Sequence, residues 1–596
     1  MRVMPAAPSR EPSAQRARSF RPVRPSWAGL RSLAARTWAG HRLFIVAAIP
    51  AFLLRVDAEL GYRWQAWFND SFEYVQNTVH FKLDPTRVSG YSIWLKILQP
   101  LHSYAAVTIL QHLMGLGIAV MIYALARHRF GVPAALAVLA TVPVLYDGFQ
   151  IQLEHLIMAD VPYLFLLTLA MTMLLWNRAG PSMRTSVLIG LLLGIGDIVR
   201  SVGLPMLVIF AVYMIIRRIS WRKVAAAIVM CFLPVVAYAG AFDLEHGQFA
   251  MTDSTGVFLY SRVMTFAECS KMTLTTDELN LCTIVPPDQR PIAQAYIWTS
   301  ESPLDRLAPS KFSSVPNELA EKFAVEAIKT QPVGYAKAVF DDTWRAFGWS
   351  RVVFPNAPTY DEYLFGYHSL AIPTWDDANL GPYGSYASAY VHGNPLTKVV
   401  APFANVMRVY ERHVYLPGSL YGLILLTGLG GLVLAWRRFG GEALLPWTMS
   451  LALIVIPAAT AEFDYRYVLA AVPFGCLAAV MAFAPGTAGG RLVRRLAGGR
   501  RAGGRLGTGV AGASPASPAV PGSDRAGVAA PAGRAGVAGS AGRADVAGSA
   551  GRADVAGPGP ARVTGGGSGS VRVGGGADPA AAGAGDDQGD LTPDGA

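Results

Sequence analysis

Charged residues are scarce in this chain, which excludes an ordinary soluble protein. Asp, Glu, Lys and Arg make up 15% of its 596 residues, whereas soluble domains carry about a quarter. Hydrophobic residues make up 52% and form long apolar runs, which predicts an all-α polytopic membrane protein. The net charge of +11 is concentrated in 1–42 and in short loops. That placement indicates membrane topology rather than nucleic-acid binding.

Cysteine is also scarce, with four residues in the chain. Cys231 and Cys476 fall in apolar runs and are interpreted as small core residues. Cys269 and Cys282 flank the stretch "CSKMTLTTDELNLC", which has no histidine nearby, so a zinc site is not expected there. An oxidising exterior favours a disulfide between them.

A cleavable signal peptide is not expected, because the first apolar run begins near Leu43 and no small-residue cleavage site follows it. Hydropathy predicts about ten membrane spans, several of them near or below the roughly 20 residues that a straight span needs. Their approximate bounds are 43–56, 104–126, 133–149, 157–176, 185–199, 202–216, 223–242, 416–436, 443–461 and 467–485.

The placement of basic residues predicts the orientation of these spans. With the basic N-terminus in the cytoplasm, every inner loop is short and basic, as the positive-inside rule requires. These loops carry Arg127 and Arg129; Arg178 and Arg184; Arg217, Arg218, Arg222 and Lys223; Arg437 and Arg438; and Arg491, Arg494 and Arg495. We therefore expect a multi-pass plasma-membrane protein with both termini in the cytoplasm.

This topology predicts the domain organisation. An outer loop, 57–103, contains the stretch "GYSIWLKILQPL", which is expected to form a helix lying along the membrane interface. The Gly/Ala-rich end of the chain cannot bury a core and is expected to be disordered. The expected parts are a basic segment 1–42, a catalytic membrane module 43–242, an extracytoplasmic domain 243–415, C-terminal spans 416–486 and a cytoplasmic tail 487–596.

Ionisable residues gather at the outer ends of the predicted spans, where they are costly and therefore suggest function. Each also has a structural interpretation. Asp70 and Glu73 fit a D-x-x-E capping box, Glu154 or Asp160 could pair with Arg200, and Asp197 could pair with Arg200 instead. The groups are Asp70, Glu73 and Tyr74; Asp147, Glu154, His155 and Asp160; and the scattered cations Arg87, Arg200 and Arg466.

The order of these motifs resembles the GT-C superfamily of polyprenyl-phosphate-sugar-dependent glycosyltransferases. The similarity is strongest to its family 39 branch of protein O-mannosyltransferases and aminoarabinose transferases. It rests on "NDSFEY", "TRVSGYSIWLK", "LEHLIMADVPYLFL", "DIVRSVGLPML" and "EFDYRYVLAAVP" and covers roughly 43–485. The first motif reads Asp-Ser where the family has Asp-Glu, and Ser92 replaces the usual proline. The resemblance implies a GT-C-like helical bundle with an extracytoplasmic domain.

The same resemblance implies transfer of a mannose-like or arabinose-like sugar from a polyprenyl phosphate to an envelope glycan, lipid or protein, with inversion. Because a lipid phosphate leaves readily, the site needs one base and cations for the phosphate. Asp70 is assigned as the base, and Glu154 and Asp160 are further catalytic candidates. Substrate binding is assigned to Arg87, Tyr91, His155, Arg200 and Arg466, with Tyr91 and Trp94 at the lipid entrance.

No cofactor is firmly expected. A divalent metal is left open, because Glu154, His155 and Asp160 could supply oxygen and nitrogen ligands. Two other classes of function are kept. A transporter or flippase would be expected to show internal repeats, broken helices and charges within spans, and a non-catalytic scaffold for envelope assembly would use the acids only as helix caps.

Overall fold

The computed structural model describes residues 27–503 except 202, 301, 308–309, 369–382 and 439. The chain divides into residues 1–509 and 510–596, and the second unit lies outside the described residues. The predictions for 1–26 and for the tail beyond 503 therefore lie outside them as well. The described part is helical apart from one pair of short strands, as the sequence predicts.

The first half of the chain consists of helices with short connections. Their starts are set locally, for instance by Ser103, whose hydroxyl accepts a hydrogen bond from the Ala106 N–H and caps α4. The helices are α1 (Trp27–Gly61), α2 (Asn69–His80), α3 (Gly90–Leu98), α4 (Tyr104–Ala124), α5 (Ala134–Leu139), α6 (Val142–Tyr146), α7 (Gly148–His155), α8 (Asp160–Trp176), α9 (Met183–Val199), α10 (Gly203–Ile216) and α11 (Trp221–His246).

The middle of the chain contains shorter helices, and the end returns to long apolar ones. The middle helices are α12 (Thr255–Val263), α13 (Thr276–Leu279), α14 (Ala295–Trp298), α15 (Ser314–Thr330), α16 (Pro332–Arg345), α17 (Ala357–Asp361), α18 (Tyr383–Val391) and α19 (Phe403–His413). The last are α20 (Gly418–Leu434), α21 (Leu444–Thr460), α22 (Tyr465–Met481) and α23 (Ala488–Gly503). Strands β1 (Tyr62–Arg63) and β2 (Lys398–Val399) pair antiparallel.

Within the described part, three helical segments are long and apolar enough to cross a membrane: Tyr104–Arg129, Trp221–His246 and Gly441–Thr460. The bent pair Phe403–His413 and Gly418–Leu434 would make a fourth if it counted as one span. Such segments make this a membrane protein. The other predicted spans coincide with shorter or less uniformly apolar helices, so a total of about ten stays a prediction.

The third predicted span, 133–149, is not one helix. It is divided into α5, α6 and the start of α7. Pro143 lies in the first turn of α6, where its missing N–H is tolerated. Asp147 then ends α6, and its carboxylate accepts a hydrogen bond from the Phe149 N–H to begin α7. The segment that joins the third and fourth predicted spans is therefore largely a buried helix, α7.

The predicted extracytoplasmic segment 243–415 forms two parts with different packing. Residues between Val257 and Ala327 enclose a small core of their own. The later part packs on the first module instead: β2 pairs with β1, and the Gly148 N–H donates to the Val414 carbonyl at 2.8 Å. Its buried side chains belong to the same hydrophobic core as those of the first module. Apolar patterning within 243–415 alone does not reveal this packing.

Three smaller predictions can be compared with the structure. Cys269 and Cys282 are joined by a disulfide. Helix α3 forms where the interfacial helix is predicted and leaves Ile97 70% exposed, and its lying along the membrane interface stays a prediction. Residues 488–503 belong to the tail that is expected to be disordered, but they form α23. The Arg, Leu and Ala residues of "RLVRRLAGGRR" are all good helix formers.

Candidate active site

Asp70 lies at the centre of a group of charged side chains that come from distant parts of the chain. Its Oδ1 is 2.8 Å from Arg87 Nη2, and its Oδ2 is 2.7 Å from Arg466 Nη1. Arg87 also pairs with Glu73, one turn along α2 from Asp70. We call the whole group the Asp70 cluster; its members are Asp70, Glu73, Arg87, Asp160, Arg200, Asp464 and Arg466.

The start of α2 explains how Asp70 is free to make these contacts. The Ser71 hydroxyl accepts a hydrogen bond from the Phe68 N–H at 2.9 Å, and the Asn69 N–H donates to Glu362 at 3.0 Å. These bonds satisfy donors at the helix start. The capping box that the sequence suggested for Asp70 and Glu73 is therefore not formed, and both carboxylates point to arginines instead.

Arg200 enters the cluster from the end of α9. It pairs with Asp160, the first residue of α8, and its guanidinium lies over the Tyr467 ring with 5.0 Å to the centroid. Arg466 lies over the same ring at 5.5 Å. The alternative pair of Asp197 with Arg200 is not found, because Asp197 accepts a hydrogen bond from the Leu204 N–H at 2.9 Å.

Gly90 brings α3 against the end of the helix that carries Arg200. A Cβ at this position would lie 2.3 Å from the Ile198 carbonyl oxygen, which is closer than any side chain tolerates. The glycine of the "SGYSIW" stretch thus serves a close approach of backbone to backbone. It holds the segment after Arg87 beside the segment before Arg200.

Arg466 is fixed by groups that the sequence did not single out. Asp464 Oδ2 lies 2.9 Å from Arg466 Nε, and the Tyr363 hydroxyl donates to the other oxygen of Asp464. Glu362 contacts the start of α2. Asp464 lies two residues before Arg466 in the stretch "EFDYRYVLAAVP", so the sequence could have pointed to it. Glu362 and Tyr363 lie in a segment without any motif.

The charges of the cluster set the protonation of its acids. Burial raises the pKa of Asp70, but Arg87 and Arg466 outweigh this effect and lower the pKa to about 2. Burial raises the pKa of Glu73 to about 7 against the opposing charge of Arg87. Burial likewise raises the pKa of Glu362 to about 8. Asp70 is therefore an anion at neutral pH, while Glu73 can take up a proton there.

Three predicted site residues lie elsewhere. Glu154 forms a buried ion pair with Arg55 at 2.8 Å, and His155 contacts His112 and the Tyr62 carbonyl oxygen. Among the described residues, no hydrogen bond or ion pair joins either of them to the Asp70 cluster. The structure does not group Glu154, His155 and Asp160 as ligands of one ion, and Asp160 pairs with Arg200 instead.

Tyr91 is the third. It is completely buried, and its hydroxyl donates to Gln111 Oε1 at 2.8 Å. Its ring stacks on Trp94 and meets Tyr74 edge-on. Tyr91 therefore packs in the interior beside α2 and does not line a lipid entrance. Trp94 is partly buried and lies nearer the surface.

Comparison with known proteins gives only distant likenesses. No family model matches the sequence, and no curated protein matches it. The oligosaccharyltransferase AglB from Archaeoglobus fulgidus, solved with an inhibitory peptide and a dolichol-phosphate, aligns with a TM-score of 0.37 and 12% identity over 79% of this chain. The alignment covers 52% of AglB, so this chain spans about half of its length.

A second solved structure is ArnT from Cupriavidus metallidurans bound to undecaprenyl phosphate. It aligns with a TM-score of 0.28 and 11% identity, over 74% of this chain and 76% of ArnT. At these scores the likeness does not by itself identify the fold or the activity. The candidate function therefore rests on the residues and their geometry.

Proposed function

We propose that the chain is a GT-C-type membrane glycosyltransferase. It transfers a mannose-like or arabinose-like sugar from a polyprenyl phosphate to a cell-envelope acceptor at the outer face of the plasma membrane. The observation that carries the proposal is the pairing of Asp70 with both Arg87 and Arg466, although 396 residues separate Asp70 from Arg466. Arg200, which pairs with Asp160, lies over the same Tyr467 ring as Arg466.

The three guanidinium groups suit a lipid phosphate. Their side chains are 18%, 16% and 14% exposed, so each can reach a ligand while most of it stays packed. A planar guanidinium donates two parallel hydrogen bonds to phosphate oxygens. In a partly buried site such charges stabilise a leaving phosphate more strongly than they would in water.

The balance of charge suggests how donor binding activates the base. Without a ligand, the carboxylates of the cluster already neutralise its arginines. A bound phosphate therefore competes with Asp70 for Arg87 and Arg466. Once these cations turn to the phosphate, the influence that lowers the Asp70 pKa weakens and the carboxylate becomes more basic. Glu73 can accept a proton and so offset the added negative charge.

The transfer step then follows from the positions assigned. An Asp70 oxygen takes the proton of an acceptor hydroxyl or amine as that atom attacks the anomeric carbon. The bond from the anomeric carbon to the phosphate oxygen breaks, and polyprenyl phosphate leaves with the electron pair toward the arginines. Attack opposite the leaving group inverts the anomeric centre. Asp160 acts as a positioning residue by holding Arg200.

A transporter is the second candidate, and one observation favours it. Arg55 lies inside the first predicted span and is buried with Glu154, and the third predicted span is broken. Charges within spans and discontinuous helices are found in transporters. Uptake or flipping of a lipid-linked sugar without transfer by the wild-type protein would support this alternative.

The proposal is tested by transfer of radiolabelled sugar from polyprenyl-phosphate mannose or arabinose to envelope acceptors in membranes. We expect Arg87→Gln to lower kcat/KM for the donor by about 10- to 100-fold, because a hydrogen bond to a charged group contributes about 1.5–3 kcal/mol. The loss should lie mainly in the KM for the donor. Arg412→Gln, an exposed arginine outside the cluster, is the matched control.

Absence of transfer by the wild-type protein with both donors would overturn the proposed activity. Transfer that Arg87→Gln leaves at the wild-type rate and donor KM would remove Arg87 from the phosphate site. Protein abundance in the membranes has to be matched, so that a lower rate reflects the site rather than the amount of enzyme.

A further inference from the structure

A second group of polar side chains lies apart from the Asp70 cluster and takes no part in the proposed transfer. Glu59 near the end of α1, His112 in α4 and His155 at the end of α7 point at one another. His112 Nε2 is 3.2 Å from His155 Nδ1. Glu59 Oε1 is 3.8 Å from each of these two nitrogens. We call this group the Glu59 cluster.

The outer contacts of the two histidines fix where their protons are. His112 Nδ1 is 3.0 Å from Glu154 Oε2, a carboxylate that is ion-paired with Arg55. His155 Nε2 is 2.7 Å from the Tyr62 carbonyl oxygen. An ionised carboxylate and a carbonyl only accept hydrogen bonds, so both nitrogens must donate. In neutral imidazoles the other nitrogens, His112 Nε2 and His155 Nδ1, then carry lone pairs.

These lone pairs face each other without a proton between them. Glu59 adds a third acceptor, and within the described chain neither of its carboxylate oxygens has a hydrogen-bond partner. The Thr108 hydroxyl lies near this carboxylate. Its single proton is also within reach of the carbonyl oxygens of Trp64, Tyr104 and Ala105. Buried acceptors that converge in this way are strongly unfavourable unless a cation lies among them.

We propose that Glu59, His112 and His155 bind a divalent transition-metal ion such as Zn²⁺. Zinc takes histidine nitrogens at about 2.0–2.1 Å in tetrahedral geometry, which places two such nitrogens about 3.3 Å apart. The observed separation of 3.2 Å is close to that value. Two histidines and one glutamate leave a fourth position for water or another ligand.

Glu154 would support the metal from outside its ligand shell. A carboxylate that accepts from the far nitrogen of a metal-binding histidine fixes the ring and makes the other nitrogen a better ligand. Arg55 holds the Glu154 carboxylate in place through two contacts at 2.8 Å. The ligands come from three helices, so the ion would tie α1, α4 and α7 together. This inference does not depend on the proposed transferase activity.

The test is the metal content of the full chain, purified in detergent without a polyhistidine tag and dialysed after incubation with Zn²⁺. We expect about one zinc per chain for the wild type and little for Glu59→Gln and His112→Gln. Asp57→Asn is the matched control, because it removes a carboxylate from the same helix, two residues from Glu59, outside the cluster. Zn²⁺ should raise the Tm of the wild type and of this control only.

Substitution by Co²⁺ gives a second, spectroscopic measurement, which reports the coordination geometry of the bound ion. Visible absorption typical of tetrahedral Co²⁺ in the wild type, lost in Glu59→Gln, supports the site. Wild-type protein that retains neither metal after dialysis would overturn the proposal. A proton shared by the two histidines would then occupy the place assigned to the ion. Equal metal content in the wild type and both ligand variants would overturn it as well.

Discussion

Asp70→Asn is expected to reduce sugar transfer by about 10²- to 10⁴-fold, the contribution that a general base makes. The pKa of Asp70 lies at about 2, so the wild-type carboxylate is ionised at every usual assay pH. The amide cannot take the proton of the acceptor. Its single oxygen can still accept a hydrogen bond from one of the two arginines, because Arg87 and Arg466 contact different oxygens of the wild-type carboxylate. The rate is measured in membranes at matched protein abundance.

The same variant separates catalysis from binding of the donor. The neutral amide would leave the arginines with one negative charge fewer beside them, so we expect the KM for the donor to stay constant or to fall. A role in holding substrate would raise that KM instead. Asp277→Asn, an exposed substitution of the same kind, should leave transfer unchanged. Full activity of Asp70→Asn would show that Asp70 is not the base and would leave Glu73 and Asp160 as the candidates in the cluster.

Glu154→Ala is expected to destabilise the protein by about 3–5 kcal/mol, the cost of removing one member of a buried ion pair. The side chains of Arg55 and Glu154 are 2% and 0% exposed, so water cannot replace the lost carboxylate. Arg55 would keep hydrogen bonds to the carbonyl oxygens of Ala51, Leu145 and Val144 but would remain charged and unpaired. Unfolding in a mixed-detergent titration measures the change.

Two further variants make this prediction specific to the pair. Arg55→Met combined with Glu154→Leu removes both charges and keeps most of the volume, and it should recover much of the lost stability. Glu318→Ala breaks an exposed pair with Lys322 and should cause no measurable change. A loss in the double variant as large as that in Glu154→Ala would show that the cost comes from packing and from the lost hydrogen bonds of His112 and Gln150 rather than from the unpaired Arg55 charge.

The Asp70 cluster could largely be predicted from the sequence. Asp160, Arg200 and Arg466 lie near ends of apolar runs, and Asp70 and Arg87 lie in the outer loop 57–103. A positive-inside assignment places all five on one side of the membrane. What the pattern does not contain is the pairing. Whether Arg200 pairs with Asp160 or with Asp197 depends on how α8, α9 and α10 pack. A single sequence carries no local signal for that packing.

The Glu59 cluster was missed for a different reason. Arg55 and Glu59 are spaced by four in "LLRVDAELGY", which places both on one face of α1, and His112 interrupts an apolar run. Ionisable residues inside predicted spans are a functional signal. The interpretation that all ionisable groups lie at one face overlooked them, and Glu154 and His155 were consequently assigned to the other site.

The distance along the chain between Asp70 and Arg466 has a consequence for biosynthesis. Their contact spans 396 residues, which takes a ribosome roughly 20–80 s to synthesise at 5–20 residues per second. During that interval Asp70 already has Arg87 as a neighbour, and Arg466 later emerges just after Asp464. Each half of the protein therefore enters the membrane with its own counter-ion, and the Asp70 cluster is completed only when the segment that carries Arg466 arrives.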